Sequence, residues 1–545
     1  MGEGKENQLR HDLHEGHAQP RSHDVVLVGG ALSNIVCAVI LAKRGYKVAI
    51  VEKLDRLGGR VGSTQHRGHW IDWGHRDADN GSGDVGHTQL YRGQAEAAAG
   101  LDVPVIKNAQ GGVDGKDVMY VHHLSGDGSV TVLPMTQMTG GPAEQMEGLM
   151  TMFRSVAPEA TDPQGGAIEF GRALGLLTSM TEDEAWIRIE ERLGDWIRRN
   201  VRHPEARRAL ITFLECATCM PGEEASVGRF ALSSKWIYGS PDWIDCPKVG
   251  GMQAMIQPWI DELHRLGVEI WTGWKPIEVL TDREEEIHAS AALYGRAAGV
   301  LAINESNLVQ EFHAPIVVCD IDGWRLPEIV DERLLPAEWL ERARRTKERQ
   351  SEILGYVGSF TRLPRIRSTG EVETFSGWQR LVWGEGMNKH YHMSFHWSTL
   401  TDPHYAPAGR HQFMICGMRK PRRNFPGIKE AVEASLRYLR NYYLDFDECM
   451  EWSRYLWVQA PQDIGWHFAP GVRHGVRIPS ISGLYSSAAS NEGFGGWVDS
   501  EFEIALAAIE EIETDFVRPD GTRDIGPWRS TNMERALREP VGASD

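Results

Sequence analysis

The residues best suited to chemistry lie near the start of the chain. Residues 25–38 read VVLVGGALSNIVCA: an apolar run stops at Gly29 and Gly30, and a second apolar run begins. Glu52 stands about twenty residues past that turn, where an acid accepts hydrogen bonds from ribose hydroxyls. Residues 55–60 read DRLGGR, which adds Gly58, Gly59 and Arg60. Backbone N–H groups at such turns, a helix N-terminus and a guanidinium together close on a diphosphate. A nucleotide cradle of this type is expected to read G-x-G-x-x-G. Gly29 fits the first position, but Ala31 and Asn34 occupy the second and third, with Ser33 between them. The Ala31 methyl asks for a small shift, and Gly30 supplies the freedom that Ala31 lacks. Asn34 must either spread the helix from the strand or turn its amide toward a phosphate oxygen.

The elements that position these residues follow from hydrophobic pattern. Val25 to Val28 form a continuous apolar run, as a central parallel strand does. Ile35 to Ala42 form a buried helix ended by Gly45, and Lys47 to Val51 form the second strand. A further block begins PKVGGMQAMIQPWIDELHRLGVEI at Pro247, a helix ended by Gly267 and followed by strands at 268–271 and 277–280. Residues 314–320, APIVVCD, form another buried strand. The last block, from Gly483, takes a strand into a glycine turn and then a helix marked by Phe502, Ala505, Leu506, Ile509 and Ile512. The apolar stretch 25–42 carries Gly29, Gly30, Ser33 and Asn34 in its middle, which fits a strand–turn–helix better than a membrane span.

The ordered set of turn, acid, D-R-x-G-G-R and then Gly68, Asp72 and Gly74 resembles the flavoprotein superfamily of amine oxidases and carotenoid desaturases. The resemblance implies an α/β fold: a Rossmann-type FAD-binding domain, discontinuous in sequence, with an α+β substrate domain. On that pattern the FAD-binding domain takes 23–95, 246–330 and 475–515, and the substrate domain takes 96–245 and 331–474. Residues 516–545 form a C-terminal extension. The implied FAD contacts are Gly29, Gly30, Ala31, Ser33, Asn34, Glu52, Lys53, Gly59, Arg60, Gly74, His75, Val279 beside the adenine, and Ser490, Trp497 and Val498 in the last turn. His75, Glu492 and Asp499 border the segments expected near the flavin and are the candidate proton carriers.

Two segments bear on the branch. Residues 398–411, STLTDPHYAPAGRH, resemble a segment of bacterial-type phytoene desaturases. Ala488 and Ala489 stand where amine oxidases carry a glycine and an acid, and desaturase relatives often have a small residue there. The expectation is an FAD-dependent dehydrogenase or desaturase oxidising C–H bonds of a lipophilic, terpenoid or carotenoid substrate, with a quinone-like or other electron acceptor. The alternatives are a flavin amine or amino-acid oxidase, and a non-catalytic partner subunit with a degraded cradle.

Composition sets bounds. The chain has 545 residues and a formal charge of 58 − 76 = −18, which disfavours nucleic acid or an anionic membrane as main partner. Its 7 cysteines are too few for a disulfide scaffold, and Cys216–Cys219 lacks the second pair of a zinc site, so both are read as packed on a helix. His390, His392 and His396 share one face of a predicted strand, read as solvated or pocket-lining rather than metal-binding. No G-x-S-x-G elbow, Walker A loop or HExxH helix occurs. Residues 1–22 are polar and His-rich, a disordered tail rather than a signal peptide. The expected location is cytoplasmic, with any membrane contact confined to the surface, and homo- or hetero-oligomers are compatible with the sequence.

Glu52→Ala removes a charged acceptor for a ribose hydroxyl and is expected to weaken FAD binding by about 1.5–3 kcal/mol. Isothermal titration measures this, and unchanged affinity would reject the assignment of Glu52.

Overall fold

The computed structural model describes residues 20–72, 91–103, 105–106, 117–124, 130–136, 142–218, 222–237, 246–247, 250–283, 295–347, 352–383, 391–419, 428–458, 470–471, 473–492, 498–519 and 521. At its centre lies a five-stranded parallel sheet in the order Glu269–Thr272, Val48–Glu52, Val25–Val28, Ile316–Cys319, Leu484–Ser486. All five strands fall in the blocks the hydrophobic pattern selects, with Leu484–Ser486 as one edge.

Alternation along the strands divides the core. Val25, Leu27, Val48, Ile50, Ile316 and Val318 face the helices Leu32–Lys43, Met252–Arg265 and Asp499–Asp515. Val26, Val28, Ala49, Val51, Val317 and Cys319 pack on the other side, toward the antiparallel strands Trp274–Arg283, Gly295–Asn304 and Val309–His313. Both faces are covered, which is why these strands read as unbroken apolar runs. The helix Leu32–Lys43 stops as expected at Gly45, whose φ of +90° suits a residue without a Cβ.

Boundaries differ from the sequence expectation in places. Arg21–Ser22 pair in parallel with Phe312 and His313, so these two residues of the expected tail belong to a sheet. Ala95, Ala99 and Val103 join the core beside the Leu32–Lys43 helix, carrying the first segment of that unit past residue 95. Leu334, Leu335, Trp339 and Ala343 pack with Val28 and Val51, so the helix Ala337–Lys347 belongs with the nucleotide unit and not, as expected from residue 331, with the substrate unit.

The second unit is a seven-stranded sheet in which Asp117–Leu124 and Val130–Thr136 lie beside strands drawn from 352–458. One face carries Phe360, Phe395, Trp397 and Phe413 against the helix Ile428–Tyr442. Residues alternating with these, Ser359, His396 and Gln412, point the other way. There the hairpin Ser63–His66/His69–Asp72 is seated: Gln412 Nε2 donates to the Trp70 carbonyl (2.9 Å), and Ser359 Oγ lies 3.1 Å from His69 Nε2. Helices between residues 142 and 237 form a separate core around Phe153, Phe170 and Phe213.

Asp72 joins the units. Its Oδ1 accepts the Met252 N–H (3.0 Å), capping a helix whose own N-cap, Gly251, offers no side chain. A Cβ on Gly251 would lie 2.3 Å from that oxygen, so the glycine is required by close approach. Asp72 Oδ2 accepts from Tyr405 Oη (2.9 Å), and Tyr405 belongs to the desaturase-like segment 398–411. Pro407 of the same segment packs on the hairpin turn at Gly68. Tyr405→Phe removes a buried hydrogen bond to a charged acceptor and is expected to lower stability by about 1.5–3 kcal/mol. Urea unfolding checks this, and an unchanged midpoint would show that the joint carries no load.

Candidate functional site

The glycine turn is held from within. Gly29 adopts φ +95° and its N–H donates to the Val51 carbonyl (2.9 Å). Asn34 Nδ2 donates to the carbonyls of Val28 (3.0 Å) and Gly29 (2.8 Å), and Asn34 Oδ1 accepts from Ser487 Oγ (2.6 Å). Both N–H groups of the amide are therefore engaged by the turn. This corrects the expectation that Asn34 faces a phosphate: it is a positioning residue that ties the first strand to the segment after Leu484–Ser486.

The second glycine loop lies directly on the first. The Gly58 N–H donates to the Gly30 carbonyl (2.7 Å), and Ala31 forms a parallel bridge with Gly58. A Cβ on Gly59 would lie 2.8 Å from the Ala31 Cβ, so Gly59 leaves the room that the extra methyl of Ala31 takes. A Cβ on Gly30 would lie 2.5 Å from Leu57 Cδ2. Glu52 braces the same assembly: Oε2 accepts the Gly30 N–H (2.6 Å) and Oε1 the Leu54 N–H (2.7 Å). A carboxylate has about four acceptor sites, which leaves capacity for ribose hydroxyls.

The polar groups left over fit an anionic dinucleotide. No side chain caps the helix Leu32–Lys43, and no acid lies in its first turn. Among the described residues, Ser490 Oγ in the last turn is buried without a hydrogen-bond partner, and the buried Ser33 hydroxyl has only the Glu501 carboxyl near it. A buried donor without a partner is costly unless a ligand supplies one. Arg60 is partly exposed, and it acts on both Asp320 and Glu501. Lys53 is exposed. Val279 is buried and its N–H already donates to the Ile329 carbonyl (2.6 Å). Val498 packs in the core just before the helix Asp499–Asp515. Gly74, His75 and Trp497 lie outside the described residues.

Sequence reasoning missed two acids at the cradle, Asp320 at the end of APIVVCD and Glu501 in the last helix. Burial pushes the Glu501 carboxyl up to about 7; Arg60 opposes this and Asp322 adds to it. Burial likewise raises Asp320 well above the usual range, with Glu501, Asp322 and Glu52 adding and Arg60 opposing. The available signal was an acid directly after a buried parallel strand, where ligands approach.

Of the expected proton carriers, Glu492 and Asp499 lie in structural contacts, and His75 lies outside the described residues. Glu492 is fully buried; burial would raise its carboxyl, but Arg229 outweighs this and holds it below the usual range. Its Oε1 lies 2.5 Å from Arg229 Nη1, and Oε2 accepts the Arg473 N–H (2.7 Å). Glu492 is thus an ion-pair partner between the helix Val227–Ile237 and the last nucleotide-unit segment, not a base. Asp499 Oδ1 accepts the Arg92 N–H (2.8 Å), tying the helix Tyr91–Ala99 to the last helix. His396 is buried against Trp378, with ring centroids 4.2 Å apart, so it is not solvated. His390 and Cys219 lie outside the described residues. Cys216 falls within the helix Pro204–Thr218.

Known proteins share this architecture. The NAD(P)-binding Rossmann-like domain family matches residues 27–82. A 4,4'-diapolycopen-4-al dehydrogenase of Metabacillus indicus is 42% identical over 50 residues, 9% of this chain and 10% of that protein. A neurosporene-forming phytoene desaturase of Rhodobacter capsulatus is 43% identical over 49 residues, 9% of each chain. The match thus spans about a tenth of the length of these curated relatives. Among solved structures, an oxidoreductase from Methanosarcina mazei aligns with TM-score 0.61 and 16% identity, covering 90% of this chain and all 100% of that one. A putative protoporphyrinogen oxidase from Exiguobacterium aligns at 0.57 with 14% identity, covering 92% and 100%. Wild-type putrescine oxidase bound to putrescine aligns at 0.57 with 16% identity, covering 90% and 99%. These structures share the fold over nearly the whole chain.

Asn34→Gly removes the Asn34 partner of the Gly29 carbonyl and the Ser487 hydroxyl, and leaves the Val28 carbonyl with the Asp320 N–H alone. It is expected to destabilise the protein by about 1–3 kcal/mol without tightening FAD. Thermal unfolding and isothermal titration read the two effects, and tighter FAD binding by the variant would contradict the positioning role.

Proposed function

We propose that the protein is an FAD-dependent oxidoreductase that removes hydride equivalents from C–H bonds of a lipophilic substrate of the terpenoid or carotenoid class. The observation that carries the cofactor is the uncapped helix N-terminus at Ala31, with no acid in the first turn of that helix. The substrate class is supported by the segment 398–411, which is built into the joint with the nucleotide unit through Tyr405 and Asp72. The names of both curated relatives describe carotenoid conversions, and their similarity lies at the cradle.

Once bound, FAD supplies the acceptor for the hydride. The chain's own residues do the binding and orienting. Glu52 holds the turn and offers its remaining lone pairs to the ribose. Arg60 and the Leu32–Lys43 helix N-terminus meet the diphosphate charge. Asn34, Ser487 and Asp72 fix the strand ends and the hairpin around it. A quinone-like or other added acceptor would take the electrons. Among the described residues no helix is long and apolar enough to cross a membrane, which fits contact with a lipid-borne substrate at the surface only.

The test is anaerobic mixing of the FAD-loaded protein with panels of dispersed terpenoids and of amines, following flavin bleaching. Bleaching by terpenoids is expected. Bleaching by amines with terpenoids inert would make the protein an amine oxidase on the same fold.

A further inference from the structure

The hairpin Ser63–His66/His69–Asp72 seats itself on the sheet of the second unit through histidines. His69 is 1% exposed, and its Nε2 lies 3.1 Å from Oγ of the buried Ser359. Ser359 Oγ donates to Glu451 Oε2 (3.3 Å). A hydroxyl has one proton to give, so Ser359 Oγ accepts from His69 Nε2–H, and Nδ1 is the bare nitrogen of a neutral ring. That Nδ1 is buried without a partner in hydrogen-bond geometry. The rings of His66 and His69 both meet Trp452 edge-to-face, at centroid distances of 5.2 and 4.9 Å. On the next residue, the Trp70 carbonyl accepts from Gln412 Nε2 (2.9 Å). The strand ends at Asp72, which holds Tyr405 and the Met252 helix.

We propose that this hairpin is a pH-sensitive latch between the two units, which a proton taken up by His69 releases from the sheet. The groups facing the ring come from each element packed on it. The strand Met450–Val458 brings Glu451, whose charge is already met by Arg410 Nε (2.9 Å), from the segment before the strand His411–Arg419. The same edge strand brings Arg454 to His66, and the hairpin turn brings Arg67. Three arginines thus stand around the two histidines against one carboxylate. A second positive charge in this dry contact would lose its hydration with no free anion to replace it.

The direction of the switch follows from the two environments. Released, His69 is a solvated imidazole that takes a proton near its ordinary value of about 6.5. Seated, burial holds it below that value; Gln412 and Glu451 favour the charged ring, and His66 and Arg410 oppose it. Well above pH 6.5 both forms are neutral and seating is at full strength. Below it the released hairpin binds a proton that the seated one does not. Seating therefore weakens as pH falls, by about tenfold per pH unit until the seated ring titrates as well.

Hydrogen exchange of the purified protein tests this, read by mass spectrometry on peptides that cover the hairpin and corrected for the intrinsic pH dependence of exchange. A two-stranded hairpin is marginal in water by itself, so a released one loses its protection. Protection of the hairpin is expected to fall by about tenfold between about pH 6.5 and about pH 5.5. Peptides from the helices between residues 142 and 237 should keep theirs, which separates release of the hairpin from loss of the whole fold. His69→Gln retains an amide donor for Ser359 but takes no proton, and its hairpin protection should stay level over the same range. His69→Asn repeats the comparison should the glutamine variant fold poorly. Constant protection in the parent, an equal loss in hairpin and helices, or a decline in the variants that matches the parent overturns the proposal.

Discussion

The nucleotide end of this protein depends on two backbone turns approaching each other more closely than side chains allow. The Gly30 carbonyl and the Gly58 N–H meet at 2.7 Å, and Cβ atoms on Gly30 or Gly59 would collide with Leu57 or Ala31. That contact makes the rest necessary. Glu52 must reach back to the Gly30 N–H to fix the first turn, and Asn34 must bridge Val28 and Gly29 to Ser487 to fix the strand ends. Because these side chains brace the turns internally, the proposed FAD binding leaves phosphate charge to the uncapped helix N-terminus and Arg60.

Around this point the protein places buried charge in two different ways. Glu492 is paired with Arg229 and stays ionised, joining the helical core to the last nucleotide segment. Breaking such a pair leaves one charge alone in a dry site, typically costing about 3–5 kcal/mol, so it is a structural joint. Asp320 and Glu501 share Arg60 with other acids and are pushed the opposite way, toward their neutral forms. The same residue type thus serves as a fixed ion at one place and as a titratable group at the other, according to how much positive charge stands beside it.

Much of the fold was legible because the nucleotide unit is built from local patterns. The apolar runs at 25–28, 48–51 and 316–319, the stop at Gly45 and the acid at Glu52 are each set by neighbours within a few residues. The site was less legible where function depends on residues far apart in sequence. Asn34 meets Ser487, Glu492 meets Arg229, and Asp72 meets both Met252 and Tyr405. No spacing rule reports such pairs, so Glu492 and Asp499 passed as proton carriers, while Asp320 and Glu501 were overlooked. Segment 398–411 was recognised as a distinctive loop, but its role as a clamp on the hairpin needed the partner oxygen of Asp72. The helix Ala337–Lys347 shows the same limit: its apolar face fits either core by pattern, and Trp339 and Ala343 fall in the cluster that holds Val28.

The central claim is that this altered cradle still holds FAD, and without a covalent bond. The visible absorption spectrum of the purified protein tests it most directly, taken before and after denaturation and filtration. The account predicts the two bands of oxidised flavin in the native protein, with all of the flavin passing into the filtrate. A colourless protein that stays colourless after incubation with FAD would contradict it.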